Sequence, residues 1–431
     1  VTGTDHVRSD SVYVGEGSAN HDGFDRMWAE LEPIGRHPST RGYRRYAWSA
    51  EDGLCREWFR SAARDRGLDV EADGNGNLWA WWGDRADGDV LAIGSHLDSV
   101  PDGGAFDGPL GVVSAFSAID GLRARGVEPT RPLAVVAFSD EEGARFGVAC
   151  AGSRLLTGAL TGERALALTD ASGMTMKEAM RSAGHDASRV GPDPERLAQL
   201  GAFVELHVEQ GRVPVRAPGG SEVAGLHGYG SPIGVATSIH PHGRWRFELV
   251  GRADHAGTTE LVDRDDPTLR LARLVLAARD SAVSNKAVAT VGRIEVMPNG
   301  VNAIPSGVRA WLDVRGPVDT SVRRVVSEVE AAAGVPALEE SWTPAIEFSA
   351  TLRDRISGVM SHRFGDVPAL PTAAGHDAGI LADAGVPTAM VFVRNRTGTS
   401  HSPLEHVDRS DRHAGVDALT DVVAELCGDE N

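Results

Sequence analysis

Short unbroken apolar runs alternate with helix-spaced segments along the first half of this chain. Val90-Leu-Ala-Ile93 and Leu133-Ala-Val-Val-Ala-Phe138 contain no polar position, the pattern of strands buried on both faces. Asn77-Leu-Trp-Ala-Trp-Trp82 reads as a further strand, and Phe203-Val-Glu-Leu-His207 as one that runs into a glycine turn. Between them, Glu51–Arg64 places Leu54, Trp58, Phe59 and Ala62 on one helical stripe. A helix is expected from about Pro109 to Arg123, where a proline in the first turn sacrifices no hydrogen bond. This alternation predicts an α/β domain with a mainly parallel central sheet flanked by helices. The polar, Gly/Ser/Asp-rich first thirty or so residues read as a loose lead-in.

The pattern changes after residue 238. Trp245-Arg-Phe-Glu-Leu-Val250 alternates with period two, as a half-exposed strand does. A helix over 267–279, strands near 287–297 and 307–314, a helix near 320–333 and a strand near 344–349 follow. The order β-α-β-β-α-β is that of a compact α+β ferredoxin-like unit. Val386–Val393 then reads again as a buried strand. The expected organisation is a catalytic domain in two parts, 1–238 and 349–431, interrupted by a smaller lid or dimerisation domain over 239–348. The Gly/Pro-rich stretch from Arg216 to Pro232 reads as a flexible insertion before the domain change.

Composition narrows the setting. A chain of 431 residues exceeds one ordinary core, and its 41% apolar content is that of a globular protein. The formal net charge of −18 argues against nucleic acid and anionic membrane as partners, but not against a small anionic substrate met by a local cation. Cys55, Cys150 and Cys427 are odd in number and widely spaced, which points away from a disulfide framework and towards a reducing cytoplasm. No signal-peptide pattern and no membrane-length apolar run is visible.

The candidate chemistry sits where strands end. Three acids, Asp140, Glu141 and Glu142, follow the 133–138 run, at the C-terminal edge where parallel sheets bind ligands. In adjacent glutamates one carboxylate can hold a metal while the other handles a proton. His96 and Asp98 follow the 90–93 strand two residues apart, so a carboxylate can orient an imidazole. His207 and Glu209 repeat that spacing, and His401 lies in a polar turn beyond the 386–393 strand. Asp107, among glycines before a predicted helix, could equally cap that helix. Taken together, these residues make a mixed N/O set suited to zinc, manganese, cobalt or nickel and unlike a thiolate site. His240 and His242, flanking Pro241, read as a polar linker.

These stretches carry a resemblance. The segments GSHLDSV, GGAFDGPLGV, FSDEEGARFG, GSRLLTG, ELHVEQG, DHAGTT, NGVNAIPS, AGHDA and SHSPLEH are similar to motifs of the M20 co-catalytic metallohydrolases. ELHVEQG, GHDA and SHSP resemble in particular the branch of allantoate amidohydrolases, N-carbamoyl-L-amino acid hydrolases and β-ureidopropionases. The resemblance implies two divalent metal ions per subunit, one held by His96, Asp107 and His207 and the other by Asp107, Glu142 and His401. It implies Glu141 as general base on a water shared by the metals, and Asp98, His376 and Asp377 as residues that orient the ligands. Gln210, His255, Asn302 and Arg315 match substrate-binding positions; a guanidinium fork at Arg315 suits a carboxylate. A homodimer formed through the inserted domain is implied as well.

The expected activity is hydrolysis of a ureido C–N bond in a small carboxylate substrate, allantoate or an N-carbamoyl-L-amino acid. Alternative readings are an N-formyl or other N-acyl amino acid as substrate, or a catalytically idle relative serving as a binding or oligomerisation protein. The idle reading requires loss of a ligand or of the base, and all six residues are present. The stretch between ELHVEQG and Ile233, which includes His227-Gly-Tyr-Gly-Ser-Pro232, is longer than usual for the family and is expected to bear on substrate preference.

Overall fold

A computed structural model describes residues 21–428. The chain divides into two compact units. The first comprises the residues up to Val235, Thr351–Pro368 and the residues from His376 on; the second comprises Ala236–Ala350 and Ala369–Gly375. Strand Ala369–Thr372 thus groups with the second unit, although the sequence pattern put everything after 348 with the first.

The first unit is built on strands β1 (Asp69–Ala72), β2 (Leu78–Trp82), β3 (Val90–His96), β4 (Leu133–Phe138) and β5 (Leu200–Val208), with strand Thr388–Val393 beside β5. Strands β4, β3, β5 and Thr388–Val393 run parallel in that order, and β1 and β2 extend the sheet antiparallel. On the far side, Ile233–Val235 pairs antiparallel with Val391–Val393. All positions of β3 and β4 are buried, as their apolar runs require. Gly94 has φ +148°, and a Cβ there would run into the carbonyl oxygen of Val136, so this close strand approach needs glycine.

Helix α1 (His21–Leu31) and helix α2 (Ala50–Arg64) join helix α3 (Pro109–Ala124) in one core with the sheet. α3 is buried almost all round, which explains its lack of a polar stripe. Its Gly111 lies too close to the Leu206 carbonyl oxygen for a side chain, which lets the helix settle onto β5. Phe59 and Phe116, both fully buried, meet edge to face at 5.0 Å; truncating either to alanine would cost about 3–5 kcal/mol.

Three expectations for this unit change. The loose lead-in is helical from His21 to Leu31, where Phe24, Met27, Trp28 and Leu31 bury one stripe; its residues 1–20 lie outside the described residues. In α2 the buried arc is centred on Cys55, Phe59 and Ala62, and Leu54 is 58% exposed. The segment read as a flexible insertion contains regular structure: Glu222–Ala224 pairs with Pro214–Arg216, and a short helix, Gly225–Tyr229, buries Leu226.

The second unit carries four antiparallel strands in the spatial order Val288–Met297, Gly307–Arg315, His242–Val250 and Leu338–Thr343. Helices Pro267–Ser284 and Asp319–Ala333 share an apolar core with this sheet. The period-two pattern of 242–250 buries Trp245, Phe247 and Leu249 in that core. This is the ferredoxin-like arrangement, but its last strand is 338–343, not 344–349. Leu-Glu-Glu-Ser-Trp-Thr is an edge strand with mostly exposed positions, so it carries no apolar alternation to read. Ile346–Glu347 instead pairs with Ser238–Ile239.

Candidate metal centre

Strand register explains how the site assembles. His96, the last residue of β3, lies opposite Phe138 at the end of β4, and His207 of β5 lies opposite Phe392. The parallel strands therefore deliver His96, His207 and the acids after β4 to one edge of the sheet. Asp107 reaches them from the loop before α3. It does not cap that helix: the capping position is Gly108, with no side-chain hydrogen bond. Gly108 has φ +86°, and a Cβ there would run into the His96 ring, so glycine lets the loop bring Asp107 against the histidines.

Two donor groups share Asp107. In the first, Asp107 Oδ1 lies 3.1 Å from His207 Nε2 and 3.6 Å from His96 Nε2. In the second, His401 Nε2 lies 3.3 Å from Asp107 Oδ2 and 3.5 Å from Glu142 Oε2. Within each group all the donor atoms lie within 4.8 Å of one another. His96 and His207 are fully buried, whereas His401 is half exposed. Glu141 belongs to neither group; its Oε2 stands 3.8 Å from His96 Nε2.

The donor chemistry fits cations. His96 Nε2, His207 Nε2 and Glu142 Oε1 are buried without a hydrogen bond of acceptable geometry, even though Asp107 Oδ1 lies 3.1 Å from His207 Nε2, and a buried polar atom normally makes one. Burial pushes the Glu142 carboxyl up to about 7, with Asp107 adding to the effect, and raises Glu141 well above the ordinary range, helped by Asp377 and Glu142. Burial alone would lower His401, but Asp107 and Glu142 lift it to about 9. Such crowding of buried carboxylates against histidines is the electrostatics of a cation site.

Surrounding residues fix the donors. His96 Nδ1 faces the Asp98 backbone carbonyl at 3.3 Å and its carboxylate at 3.5 Å, and the two carboxylate oxygens of Asp98 accept the backbone N–H groups of Glu141 and Glu142 at 3.2 and 3.0 Å. Asp98 therefore orients the histidine and the two glutamates together. The other spacing match behaves differently: His207 Nδ1 faces the Val208 carbonyl at 2.9 Å, while Glu209 accepts the N–H of Leu226. Glu209 thus ties β5 to the segment beyond it instead of orienting His207. His376 stands edge-on to His207 at 4.5 Å, its imidazolium disfavoured by burial and then by His207. Asp377 accepts the Ser153 hydroxyl. Gln210, matched to a substrate-binding position, donates to Asp107 Oδ2 at 2.7 Å and to Ser400 Oγ at 3.0 Å.

Sequence reasoning passed over Glu405. Its Oε1 accepts the backbone N–H groups of Phe106 and Asp107, and its Oε2 accepts Ser400 Oγ. It was present in SHSPLEH, but a glutamate in a polar turn reads as solvent-facing. Glu205 was also missed; fully buried, it accepts Ser95 Oγ and the N–H of Ala378. A third donor group of Glu205, His207 and His376 shares His207 with the first.

His255, Asn302 and Arg315 belong to the second unit. His255 pairs with Ala303, and the Asn302 carbonyl accepts the N–H of Ala256, so the first two are neighbours on exposed backbone. Arg315 holds Asp313 through Nε at 2.9 Å and Nη2 at 3.3 Å, and Nη1 donates to Ala373 O. His240 lies between two strands and His242 opens strand His242–Val250, its Nδ1 facing the His240 carbonyl at 3.0 Å; neither enters a donor group among the described residues.

Comparison with known proteins adds an independent line. The family described as Peptidase family M20/M25/M40 matches residues 92–425. An N-carbamoyl-L-amino acid amidohydrolase of Geobacillus stearothermophilus is 35% identical over 421 residues, covering 94% of this chain and 99% of that protein. An allantoate amidohydrolase of Bacillus subtilis is 29% identical, covering 88% and 94% respectively. Among solved structures, an amidase of the hydantoinase/carbamoylase family from Burkholderia vietnamiensis superposes with a TM-score of 0.83 at 29% identity, covering 95% of this chain and 98% of that one.

Proposed function

Since this chain belongs to the M20/M25/M40 peptidase family, among its amidohydrolases of non-peptide C–N bonds, we propose that it hydrolyses a ureido C–N bond in a small carboxylate substrate, allantoate or an N-carbamoyl-L-amino acid. The observation that carries this reading is the pair of donor groups sharing Asp107, with Glu141 beside them and in neither. His96, Asp107 and His207 would hold one divalent cation, and Asp107, Glu142 and His401 a second. Such cations, when bound, acidify water and polarise a carbonyl.

The protein's own groups handle the proton and the substrate. Glu141 accepts a proton from the attacking water and returns it to the departing nitrogen. Asp98 keeps Glu141 and Glu142 at fixed positions through their backbone N–H groups. His376 and Asp377 steady the wall around His207 and α4 (Ala151–Thr157). His255 and Asn302 are assigned to substrate polar groups and Arg315 to its carboxylate, with Asp313 fixing the guanidinium plane. Gln210 is assigned to the substrate side of Asp107, to which it donates.

The second unit is assigned as lid and dimerisation domain. Leu269, Leu276 and Val283 recur every seven residues on helix Pro267–Ser284 and are 61–71% exposed. Ile294 is exposed on the neighbouring edge strand, on the side of the sheet that the helices cover. An apolar face of this kind is a protein–protein interface, here between two copies of the chain. A cytoplasmic location is consistent with three unpaired, buried cysteines.

Metal-loaded protein incubated with allantoate, N-carbamoyl and N-formyl amino acids, with ammonia, carbon dioxide and formate followed, tests the reading. Ammonia from a ureido substrate is expected. Release of formate alone would move the assignment to N-formyl substrates, and silence on the whole panel would contradict it.

A further inference from the structure

Cys150 stands outside both donor groups, yet its Sγ lies 3.4 Å from Glu141 Oε1. Both side chains are buried, at 2% and 6% exposure. The backbone around Cys150 is tightly held. Its N–H donates to the Glu141 carbonyl, Ala151 N–H donates to Asp140 O, and Gly152 N–H to Ser139 O. These three bonds lock the start of α4 to the turn that carries the two glutamates. Gly152 makes the approach possible, since a Cβ there would collide with the Asn77 side chain.

Cys150 also adopts φ +54°, ψ +37°, a left-handed conformation that costs a side-chain-bearing residue and suits glycine. A side chain kept there has a contact worth keeping. The thiol's contact is the carboxylate oxygen of Glu141. The other oxygen, Oε2, is the one 3.8 Å from His96 Nε2 and so faces the donor groups. Burial favours the neutral thiol, which is the form able to donate.

We propose that Cys150 is a positioning residue for Glu141: its S–H donates to Oε1 and thereby fixes Oε2 as the oxygen that exchanges protons at the site. The inference rests on the reading of Glu141 as the base. Nothing is oxidised and no bond is made; the thiol acts by holding one carboxylate rotamer.

The test compares Cys150→Ala, which removes the donor, with Cys150→Ser, which keeps one, alongside Glu141→Gln in the metal-loaded protein. Cys150→Ala is expected to lower kcat about tenfold, with KM within twofold and metal content unchanged; proton-transfer catalysis as a whole supplies about 10²–10⁴-fold. Cys150→Ser should restore most of the loss, which a purely space-filling role would not produce. Should the alanine variant fail to fold, Cys150→Gly removes the same donor in a residue that accepts the left-handed backbone. Equal loss in the serine and donor-free variants, or full kcat without the donor, overturns the proposal. If Glu141→Gln is inactive while Cys150→Ala is unimpaired, only this proposal fails. If Glu141→Gln is fully active, the reading beneath it fails.

Discussion

Glu405 Oε1 accepts the backbone N–H of Asp107 at 3.0 Å, joining residues 298 positions apart in sequence. The same oxygen takes the N–H of Phe106, and Ser400 bridges Glu405 Oε2 to Asp107 Oδ2. The carboxylate shared by both donor groups is therefore held through its main chain by one buried acid. Glu405→Ala should weaken metal affinity about 10–100-fold, the usual effect of removing a group that orients a ligand. Titration of metal-free protein with zinc or manganese checks this; unchanged affinity would show that Asp107 needs no such anchor.

Metal removal should also cost stability. The cations would bind the folded chain and not the unfolded one, so free metal at a hundred times its Kd adds about 2.7 kcal/mol. A chelator should lower Tm, and added metal should restore it. In Asp107→Ala, which interrupts both donor groups, the Tm should no longer respond to metal.

The apolar face of helix Pro267–Ser284 gives an assembly prediction. Leu276→Glu places a charge in the middle of that face. Light scattering coupled to size exclusion should show a dimer for the parent protein and a monomer for the variant. Identical masses would remove this face from the dimer assignment.

The acid limb of stability has a local contributor. Asp170 is held down to about 2 by the Ser172 hydroxyl, with Arg145 and the Ser172 and Met174 backbone N–H groups assisting. Its folded pKa lies below the ordinary aspartate value, so this contribution is complete above about pH 4 and is lost as pH falls towards 2. Asp170→Asn should flatten the fall in denaturant midpoint over that window and leave the slope at neutral pH unchanged. An identical acid limb in both proteins would contradict the assignment.

What was legible in sequence follows from physical periodicity. Fully apolar runs announced β3 and β4, and period-two alternation announced the Trp245–Val250 part of strand His242–Val250, because burial imposes those patterns directly. Leu338–Thr343 was missed because an edge strand with exposed side chains leaves no such trace. The six central residues could be named because each lies at or beyond the end of a strand, in a polar motif, and the structure brings them together. Glu405 and Glu205 escaped for the opposite reason: their partners are backbone groups or side chains remote in sequence; Cys150, nine residues from Glu141, escaped because nothing in its spacing marks a thiol–carboxylate contact. Glu209 shows the limit of spacing arguments: the Asp98 carboxylate comes within 3.5 Å of His96 Nδ1, but Glu209 is engaged with Leu226, and the Nδ1 atoms of His96 and His207 both face backbone carbonyls, of Asp98 and of Val208.

The central claim separates two adjacent acids, Glu142 in a donor group and Glu141 beside His96. The most direct measurement is metal content and turnover of Glu141→Gln on the ureido substrate found by the panel. Metal content equal to the parent, with kcat reduced by at least about 10²-fold, is the predicted result. Near-normal turnover at full metal occupancy would contradict the assignment of Glu141 as the base.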